Sequence, residues 1–177
     1  MALRPLPADY APGDMPTAAE MNGLKDHAAA HVDRFTTVLR RGTLVQAMPH
    51  NALTPIQWQS VVGGYNGLGW SVGTSTRIPC PTGCDGRYAV ILTAQFAAGA
   101  GGFRYTELLK NGATSQPGLF VPGDGTLVAW LATAWEVQMV AGDYFEIRLF
   151  QNKTTVGTLN LDVYGDSPQV SVRRVEL

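Results

Sequence analysis

Alternating hydrophobic and polar positions dominate the last two-thirds of the chain. The alternation is clearest between Ala132 and Asn152, where two such runs flank a short polar connection that contains Gly142 and Asp143. One face of the two runs carries large apolar side chains, namely Trp135, Val137, Met139, Phe145, Ile147 and Leu149. A period of two residues is typical of a strand with one buried face, and glycine with aspartate suits a tight turn. The pattern predicts a β-hairpin at the centre of the core.

Strand-like segments recur through the rest of this region at short intervals. They are predicted at residues 54–62, 88–96, 104–110, 126–131, 133–140, 144–150, 156–163 and 169–177. Residues 88–96 are apolar on both faces, so we expect this strand to be covered by a second sheet on one side and by another subunit on the other. Asn111-Gly112 is the strongest signal for a two-residue hairpin turn. About eight strands with no helix between them favour an antiparallel β-sandwich.

The N-terminal part of the chain has a different pattern. Residues 1–16 contain four prolines and are predicted to form an extended arm. Thr17 and Glu20 have the spacing of a capping box, which predicts a helix that begins there. We expect this helix to last to about Arg40, with Gly42 following its last turn.

Apolar residues along this predicted helix follow alternating steps of three and four, the spacing of a coiled-coil seam. The alternative is an amphipathic helix that lies on its own domain or on a neighbour, and His31 is then an ordinary packed residue. Under either interpretation, the candidate residues for anchoring or self-association are Thr17, Glu20, Met21, Leu24, Ala28, His31, Phe35 and Val38. The predicted domains are an arm and helix over residues 1–41, a linker over 42–53 and a β-domain over 54–177.

Composition and charge narrow the class of protein. Of the 177 residues, 45% are hydrophobic and 15% are charged, whereas charged residues make up roughly 25% of an average soluble protein. Such a surface suits a subunit that buries area against its neighbours. A net charge of −1 argues against a nucleic-acid partner, which would require a stripe of lysine and arginine. We find no secretory signal and no run of apolar residues that predicts a membrane span.

The cysteines and histidines do not form a recognisable metal motif. Cys80 and Cys84 flank a Pro-Thr-Gly turn, and we expect free thiols in a chain without an export signal. A zinc site requires about four ligands, and none of the three histidines lies near this pair in the sequence. The glycine-rich residues 63–69 are predicted to form a loop rather than a phosphate-binding cradle, because no helix follows them. We therefore predict no metal and no cofactor.

Candidate catalytic residues are present, but not in a catalytic pattern. The nucleophiles Ser60, Ser71 and Cys84 lie outside any nucleophile-elbow motif. A pair of carboxylates could act in a glycosidase, and the candidates are Glu107, Asp124, Glu136, Asp143 and Glu146. The strand alternation places Glu136 and Glu146 on the polar face, where a solvated charge or an ion pair between subunits is the ordinary explanation. We expect no enzymatic activity.

The order of several short motifs resembles the jelly-roll domains of the complement C1q and tumour necrosis factor type, in particular those on bacteriophage virions. These motifs are Gly86–Val90, the strand and turn from Arg104 to Gly112, Ala141–Tyr144 and Ser171–Val175. In addition, Pro12-Gly13-Asp14 and the following residues 16–22 are similar to the N-terminal segment of structural proteins of actinobacterial phages. The resemblance implies a mainly β fold, an antiparallel jelly-roll sandwich preceded by the arm and the α-helix.

The resemblance also implies a homotrimer and a place in the virion. The expected function is that of a capsid decoration protein, assembled in the host cytoplasm and anchored to the major capsid protein or other virion subunits by residues 1–41. The alternative is a host-binding module of a tail or fibre that recognises a glycan or a protein. For that role, aromatic residues near loops could stack on a sugar, namely Tyr65, Trp70, Phe103 and Trp130.

Overall fold

The computed structural model describes residues 36–42, 44–99, 101–123, 127–161 and 168–175. Regular structure in these ranges is almost entirely strand. The strands are β1 (Thr36–Arg40), β2 (Gln46–Met48), β3 (Thr54–Pro55), β4 (Ser60–Asn66), β5 (Arg77–Pro79), β6 (Gly86–Phe96), β7 (Phe103–Lys110), β8 (Thr114–Pro122), β9 (Ala129–Met139), β10 (Tyr144–Gln151), β11 (Leu159–Leu161) and β12 (Gln169–Arg174). A single 3₁₀ turn covers Val72–Thr74. No helix in the described ranges has the length and apolarity needed to cross a membrane.

The strands form two antiparallel sheets. The seven-stranded sheet has the order β2-β11-β6-β12-β1-β4, and β9 also pairs with β6. The five-stranded sheet has the order β3-β10-β7-β8, and β5 also pairs with β10. Every strand pairing is antiparallel.

The core lies between the sheets and is built by the alternation predicted from the sequence. In β6, every second residue from Tyr88 to Phe96 is completely buried. Facing strand β10 contributes Phe145, Ile147 and Leu149, which are also completely buried. Each such large apolar side chain stabilises the fold by about 1.5–3 kcal/mol. The strands predicted at 88–96, 104–110 and 144–150 are therefore confirmed as elements of this sandwich.

The predicted hairpin between the two central runs is wrong. Strand β9 pairs with β6 along the whole length of both, from Gly86 opposite Met139 to Phe96 opposite Ala129. Strand β10 lies in the other sheet and pairs with β7. Residues 140–143 therefore connect the two sheets. Two strands that face each other across a core show the same alternation as the two arms of a hairpin, so the pattern identified the buried side chains but not the neighbouring strand.

The predicted helix does not extend to Arg40. Residues 36–40 form β1, which pairs with β12 on one side and β4 on the other. Thr37 and Leu39 are completely buried, while Val38 is half-buried and faces outward. Three consecutive β-branched residues, Thr36-Thr37-Val38, favour this extended conformation. The capping box and the rest of the predicted helix lie outside the described residues.

The predicted linker over residues 42–53 contains β2, which pairs with β11 and buries Met48 completely. Strands of the sandwich thus begin at Thr36, before the predicted boundary at residue 54. The strand predicted at 54–62 is interrupted: β3 has two residues, and β4 begins at Ser60. Conversely, the strands predicted at 126–131 and 133–140 form one strand in the described residues, β9.

The hairpin turn predicted at Asn111-Gly112 is confirmed. It joins β7 to β8, and both residues have positive φ, 51° and 69°. The amide of Ala113 donates to the carbonyl of Lys110 at 3.0 Å and closes the turn. Strand β8, which the hydrophobic pattern did not predict, contains Pro117 and Pro122, residues that strands tolerate mainly at sheet edges.

Candidate functional site

An uncharged surface covers the middle of the seven-stranded sheet on its outer side. The strand register places Val38 of β1, Ser171 of β12, Ile91 of β6 and Ala134 of β9 in one row. We call this surface the association face, and its residues are Val38, Ala89, Ile91, Thr93, Trp130, Ala132, Ala134 and Ser171. Four adjacent strands, β1, β12, β6 and β9, supply these side chains.

The association face exposes Ile91 at its centre and Trp130 two rows further along the sheet, and charged residues lie in the rows beside that of Ile91. Ile91 is 51% exposed and Trp130 is 54% exposed. The neighbouring rows of the sheet contain Arg40 on one side and Arg173 with Glu136 on the other. An apolar centre with a polar rim is the usual anatomy of a protein–protein interface. The arrangement can bind a protein surface.

Of the residues predicted to anchor or self-associate, the structure describes one. Val38 lies on the association face, although in a strand rather than in a helical seam. Its contact with a partner stays a prediction. The others lie outside the described residues, namely Thr17, Glu20, Met21, Leu24, Ala28, His31 and Phe35.

The four candidate catalytic carboxylates that the structure describes each lie near a cationic side chain. Glu107 accepts from Nε of Arg148 at 2.9 Å and also from Nη2 of the same side chain. Glu146 accepts from the Thr76 hydroxyl at 2.7 Å and lies 3.7 Å from Nε of Arg77. For Glu146 the sequence predicted a solvated charge or an ion pair between subunits, and the ion pair that the structure shows lies within the chain.

The two other described candidates, Glu136 and Asp143, also lie near a cation. Glu136 lies 3.5 Å from Nη1 of Arg87 on an exposed surface. Because β9 and β10 belong to different sheets, Glu136 and Glu146 project from opposite sides of the sandwich and cannot act on one substrate. Asp124 is outside the described residues. Within the described ranges, no three His, Cys, Asp or Glu side chains come together in a group that could hold a metal ion.

Asp143 closes the connection between β9 and β10. Its carboxylate accepts from Nζ of Lys110 at 2.7 Å, from Nδ2 of Asn111 at 2.7 Å and from the amide of Val140 at 2.9 Å. These hydrogen bonds, that of Lys110 first, lower the pKa of Asp143 to about 2. The residue therefore holds the β7–β8 turn against the connection between the sheets, which is a structural role.

The two cysteines are free and buried, as expected from the sequence. Sγ of Cys80 donates to the carbonyl oxygen of Cys84 at 3.3 Å, and the Tyr88 hydroxyl donates to the same oxygen. Desolvation raises the pKa of Cys80 to about 11. A thiol with this pKa is a poor nucleophile at neutral pH.

A second exposed surface lies on the outer side of the five-stranded sheet. The rings of Phe103 and Phe120 stack at 4.4 Å between centroids, and those of Phe103 and Phe150 at 5.2 Å. Tyr105 lies between Phe120 and Phe150 in the strand register. We call these four residues the aromatic shelf. In β10, Phe150 follows the buried Leu149 and faces outward, but the sequence analysis missed the shelf because it did not predict β8, which carries Phe120.

The aromatic residues proposed near loops have different environments. Tyr65 on β4 is 44% exposed, and Trp130 contributes to the association face. Trp70 is buried among core residues and is therefore not placed to stack on a ligand. Phe103 is the one member of this group that lies in the aromatic shelf.

Comparison with known proteins shows the fold. No family model and no curated protein matches the chain. Among solved structures, the globular domain of zebrafish complement 1qA protein matches with a TM-score of 0.56 and 9% identity, covering 80% of this chain and 98% of that one. Murine APRIL matches with a TM-score of 0.57 and 12% identity over the same shares. Eiger TNF from S. frugiperda matches at 0.53 and 12%, covering 80% of this chain and 92% of that one. The chain has a C1q/TNF-like jelly-roll fold.

Proposed function

We propose that the chain is a non-enzymatic structural protein that assembles into a homotrimer through the association face. The observation that carries this proposal is the exposure of Ile91 in the middle of an uncharged sheet surface. Leaving such a side chain in water forgoes about 1.5–3 kcal/mol that burial would provide. The jelly-roll family that the sequence resembles implies three subunits, and the fold supports that number.

The distribution of exposed apolar residues favours a ring. Ile91 is exposed at the centre of the sheet. Trp130 is exposed at the start of β9, which pairs only with β6 among the described strands and therefore forms an edge of the sheet. Leu127 and Val128, just before this strand, are also exposed. The face of one copy would pack against the β9 edge of the next. Two different surfaces in contact make a heterologous interface, which closes into a ring when the rotation between copies permits it.

We place this trimer on a bacteriophage virion as a capsid decoration protein. The support is the similarity of residues 12–22 to structural proteins of actinobacterial phages, together with a fold that suits a compact subunit. Residues 1–35, the part of the predicted anchor that precedes β1, would attach the trimer to the major capsid protein or other virion subunits. Many weak contacts repeated over a shell add up to strong attachment.

The arrangement of polar groups supports a role without catalysis. The four described carboxylate candidates are each paired with an arginine or a lysine. Two of them, Glu136 and Glu146, lie on opposite sides of the sandwich. A pair of catalytic carboxylates would instead face one cleft at a separation of about 5–9.5 Å.

A second candidate function is host binding by a tail or fibre protein. The aromatic shelf favours it, because Phe120 exposes 58% of its surface on a rigid sheet. This surface lies on the side of the sandwich opposite to the association face, so assembly through that face leaves it accessible.

The mass of the full chain in solution tests the assembly. We expect light scattering after size-exclusion chromatography to give about 57 kDa, three times the 19.0 kDa of one chain. Ile91→Asp should shift the mass to that of one chain, because three buried carboxylates would lack partners. Val72→Asp is the matched control, since Val72 is 71% exposed in the 3₁₀ turn and outside the association face. A wild-type chain that is monomeric at micromolar concentration would contradict the proposal.

A further inference from the structure

A shallow depression lies beside the exposed Ile91 side chain on the outer side of the seven-stranded sheet. It has a volume of about 540 Å³ and is lined by Ala89, Ile91, Ser171, Arg173, Arg174 and Val175. The methyl group of Ala89 is the smallest apolar side chain in this lining, and the residues around it are larger. Protein interfaces pack as densely as protein interiors at their centres, so a partner of this face must place side chains in the depression.

One arginine beside the depression has no partner in its own chain. Arg173 is exposed, and it forms no hydrogen bond or ion pair with any residue that the structure describes. The strand register places it in one row with Ala89 and Glu136. Glu136 lies two strands away, a separation of about 9.6 Å at the usual strand spacing. An exposed arginine next to an apolar surface indicates that the partner of this face supplies an acidic group.

The charges on these strands are sparse and complementary. Glu136 is the one charged residue of β9, the strand at the edge of the sheet. Arg173 is the one charged residue on the outward side of β12, whose other outward residues are Gln169 and Ser171. The Glu136 side chain is 62% exposed, and only its Oε2 atom is reported near Arg87, at 3.5 Å. Because a carboxylate has about four acceptor sites, Glu136 can accept a second arginine.

The two charges lie at the same level of the sheet, which matters in a ring. Rotation about an axis leaves the height of every atom along that axis unchanged. For a threefold axis that runs along the strands, the β9 edge of one copy therefore meets the face of the next copy row by row. Glu136 then meets the row that contains Arg173, and Ala134 meets the row that contains Ser171 and Val38. Opposite charges meet in the first row, and uncharged side chains meet in the second.

We propose that Glu136 of one copy pairs with Arg173 of the next copy beside this depression and so fixes the level at which the copies meet. This inference rests on the proposed trimer and deepens it by naming the residues that determine its geometry. Charged pairs at the rim of an interface contribute more to register and specificity than to affinity. A carboxylate of another virion subunit is the competing partner of Arg173.

Charge reversal in the full chain tests the pair. Arg173→Glu and Glu136→Arg should each raise the concentration required for assembly by about tenfold or more, because like charges then meet in every interface. Light scattering at several protein concentrations measures this change, and circular dichroism shows whether each variant is folded. The double variant, with both charges exchanged, should regain the wild-type mass.

Two further variants serve as controls. Glu136→Gln keeps an acceptor oxygen for arginine, so it should remain trimeric. Arg77→Glu is the matched charge reversal, since the Arg77 side chain is 54% exposed and belongs to the other sheet. It should also leave the mass unchanged.

A mixture of the two single variants tests the ring itself. Opposite charges meet wherever Arg173→Glu and Glu136→Arg subunits are neighbours, and like charges meet wherever two identical subunits are neighbours. A ring of three cannot alternate two kinds of subunit, so one repulsive interface remains, whereas a symmetric dimer would restore both of its contacts. We expect the mixture to recover only part of the assembly. Full recovery as a dimer would overturn the ring and the row-by-row contact.

The outcomes separate this inference from the proposed assembly. Single variants that stay trimeric at the wild-type concentration would overturn the pair while the trimer stands. A folded double variant that stays dissociated would overturn the pair as well, and Arg173 would then be assigned to another virion subunit. A monomeric wild-type chain would overturn both the pair and the trimer.

Discussion

Asp143 illustrates how one residue fixes a connection that the strands alone leave undetermined. The turn between β9 and β10 must carry the chain from one sheet to the other, and the carboxylate ties it to Lys110, Asn111 and the Val140 amide. Gly142 supplies the positive φ, 89°, that the turn needs. The side chain therefore links the end of β7 to the crossing between the sheets.

The lowered pKa of Asp143 makes its contribution to stability dependent on pH. The pKa is about 2 in the folded chain and near 3.9 when unfolded, so the stabilisation is fully present above the unfolded value and is lost as pH falls through about 2. We expect Asp143→Asn to lower the free energy of unfolding by about 1 kcal/mol at pH 7, allowing for solvent screening. Urea denaturation at pH 7, 5, 3 and 2 should show this difference shrinking below pH 4. Glu136→Gln, at an exposed pair, is the control and should have little effect, and an equal loss in both variants would contradict the role of Asp143.

At the scale of elements, β1 decides where the sandwich begins. It lies between β12 and β4 in the seven-stranded sheet and buries Thr37 and Leu39 completely. The amides of Arg41 and Gln59 extend this pairing through bonds to the carbonyls of Pro168 and Arg40, both at 3.0 Å. A central strand of this kind belongs to the folding unit, even though the residues before it are predicted to serve as an anchor.

Two truncations separate the anchor from the fold. Removal of residues 1–35 leaves every described strand in place, so the variant should unfold within about 1 kcal/mol of the full chain. Removal of residues 1–40 also deletes β1 and should cost several kcal/mol or abolish folding, because Leu39 alone contributes about 1.5–3 kcal/mol. Circular dichroism during urea denaturation measures both. The variant that lacks residues 1–35 should also fail to attach to the virion. Retained attachment would contradict the anchor role of these residues.

For the whole molecule, the two exposed surfaces lie on opposite sides of the sandwich. Assembly through the association face would bury Ile91 and leave Phe120 at the periphery of the ring. A trimer assembled in this way would suit a shell as well as a host-binding tip.

The abundance of the protein in purified particles distinguishes these locations. A decoration protein repeats over the capsid lattice, so we expect a stained gel to show a number of copies comparable to that of the major capsid protein, whereas a tail or fibre protein is present in a few trimers. The major capsid protein of the same particles is the internal standard. A faint band would contradict the capsid location and would favour a tail or fibre location instead.

Most of the core was predictable because burial on one face of a strand has a local signature. Along β6, β9 and β10, alternate residues such as Val90, Val137 and Ile147 lie inside, as their period of two requires. The turn at Asn111-Gly112 was equally local, since two adjacent positive φ angles favour this dipeptide. Composition and charge also pointed to a surface with few charges, which the association face displays.

Other features depend on contacts between distant residues. Arg104 lies on the inward-facing side of β7 and is 1% exposed. Its guanidinium group can be buried because it donates hydrogen bonds to the carbonyls of Gly99, Gly101 and Phe103. Nothing in the hydrophobic pattern indicates that these acceptors surround it. The aromatic shelf likewise exists only because β7, β8 and β10 are neighbours.

The sequence by itself determined which side chains are buried and where one turn lies, since both follow from the geometry of a few consecutive residues. Only the tertiary structure decided that β9 and β10 belong to different sheets, that residues 36–40 form a strand rather than the end of a helix, and which apolar residues meet on each outer face. The physical reason is that alternation specifies a buried face without specifying the strand that pairs beside it. Pairing is settled by the free energy of the whole sandwich, to which residues far apart in the chain contribute together.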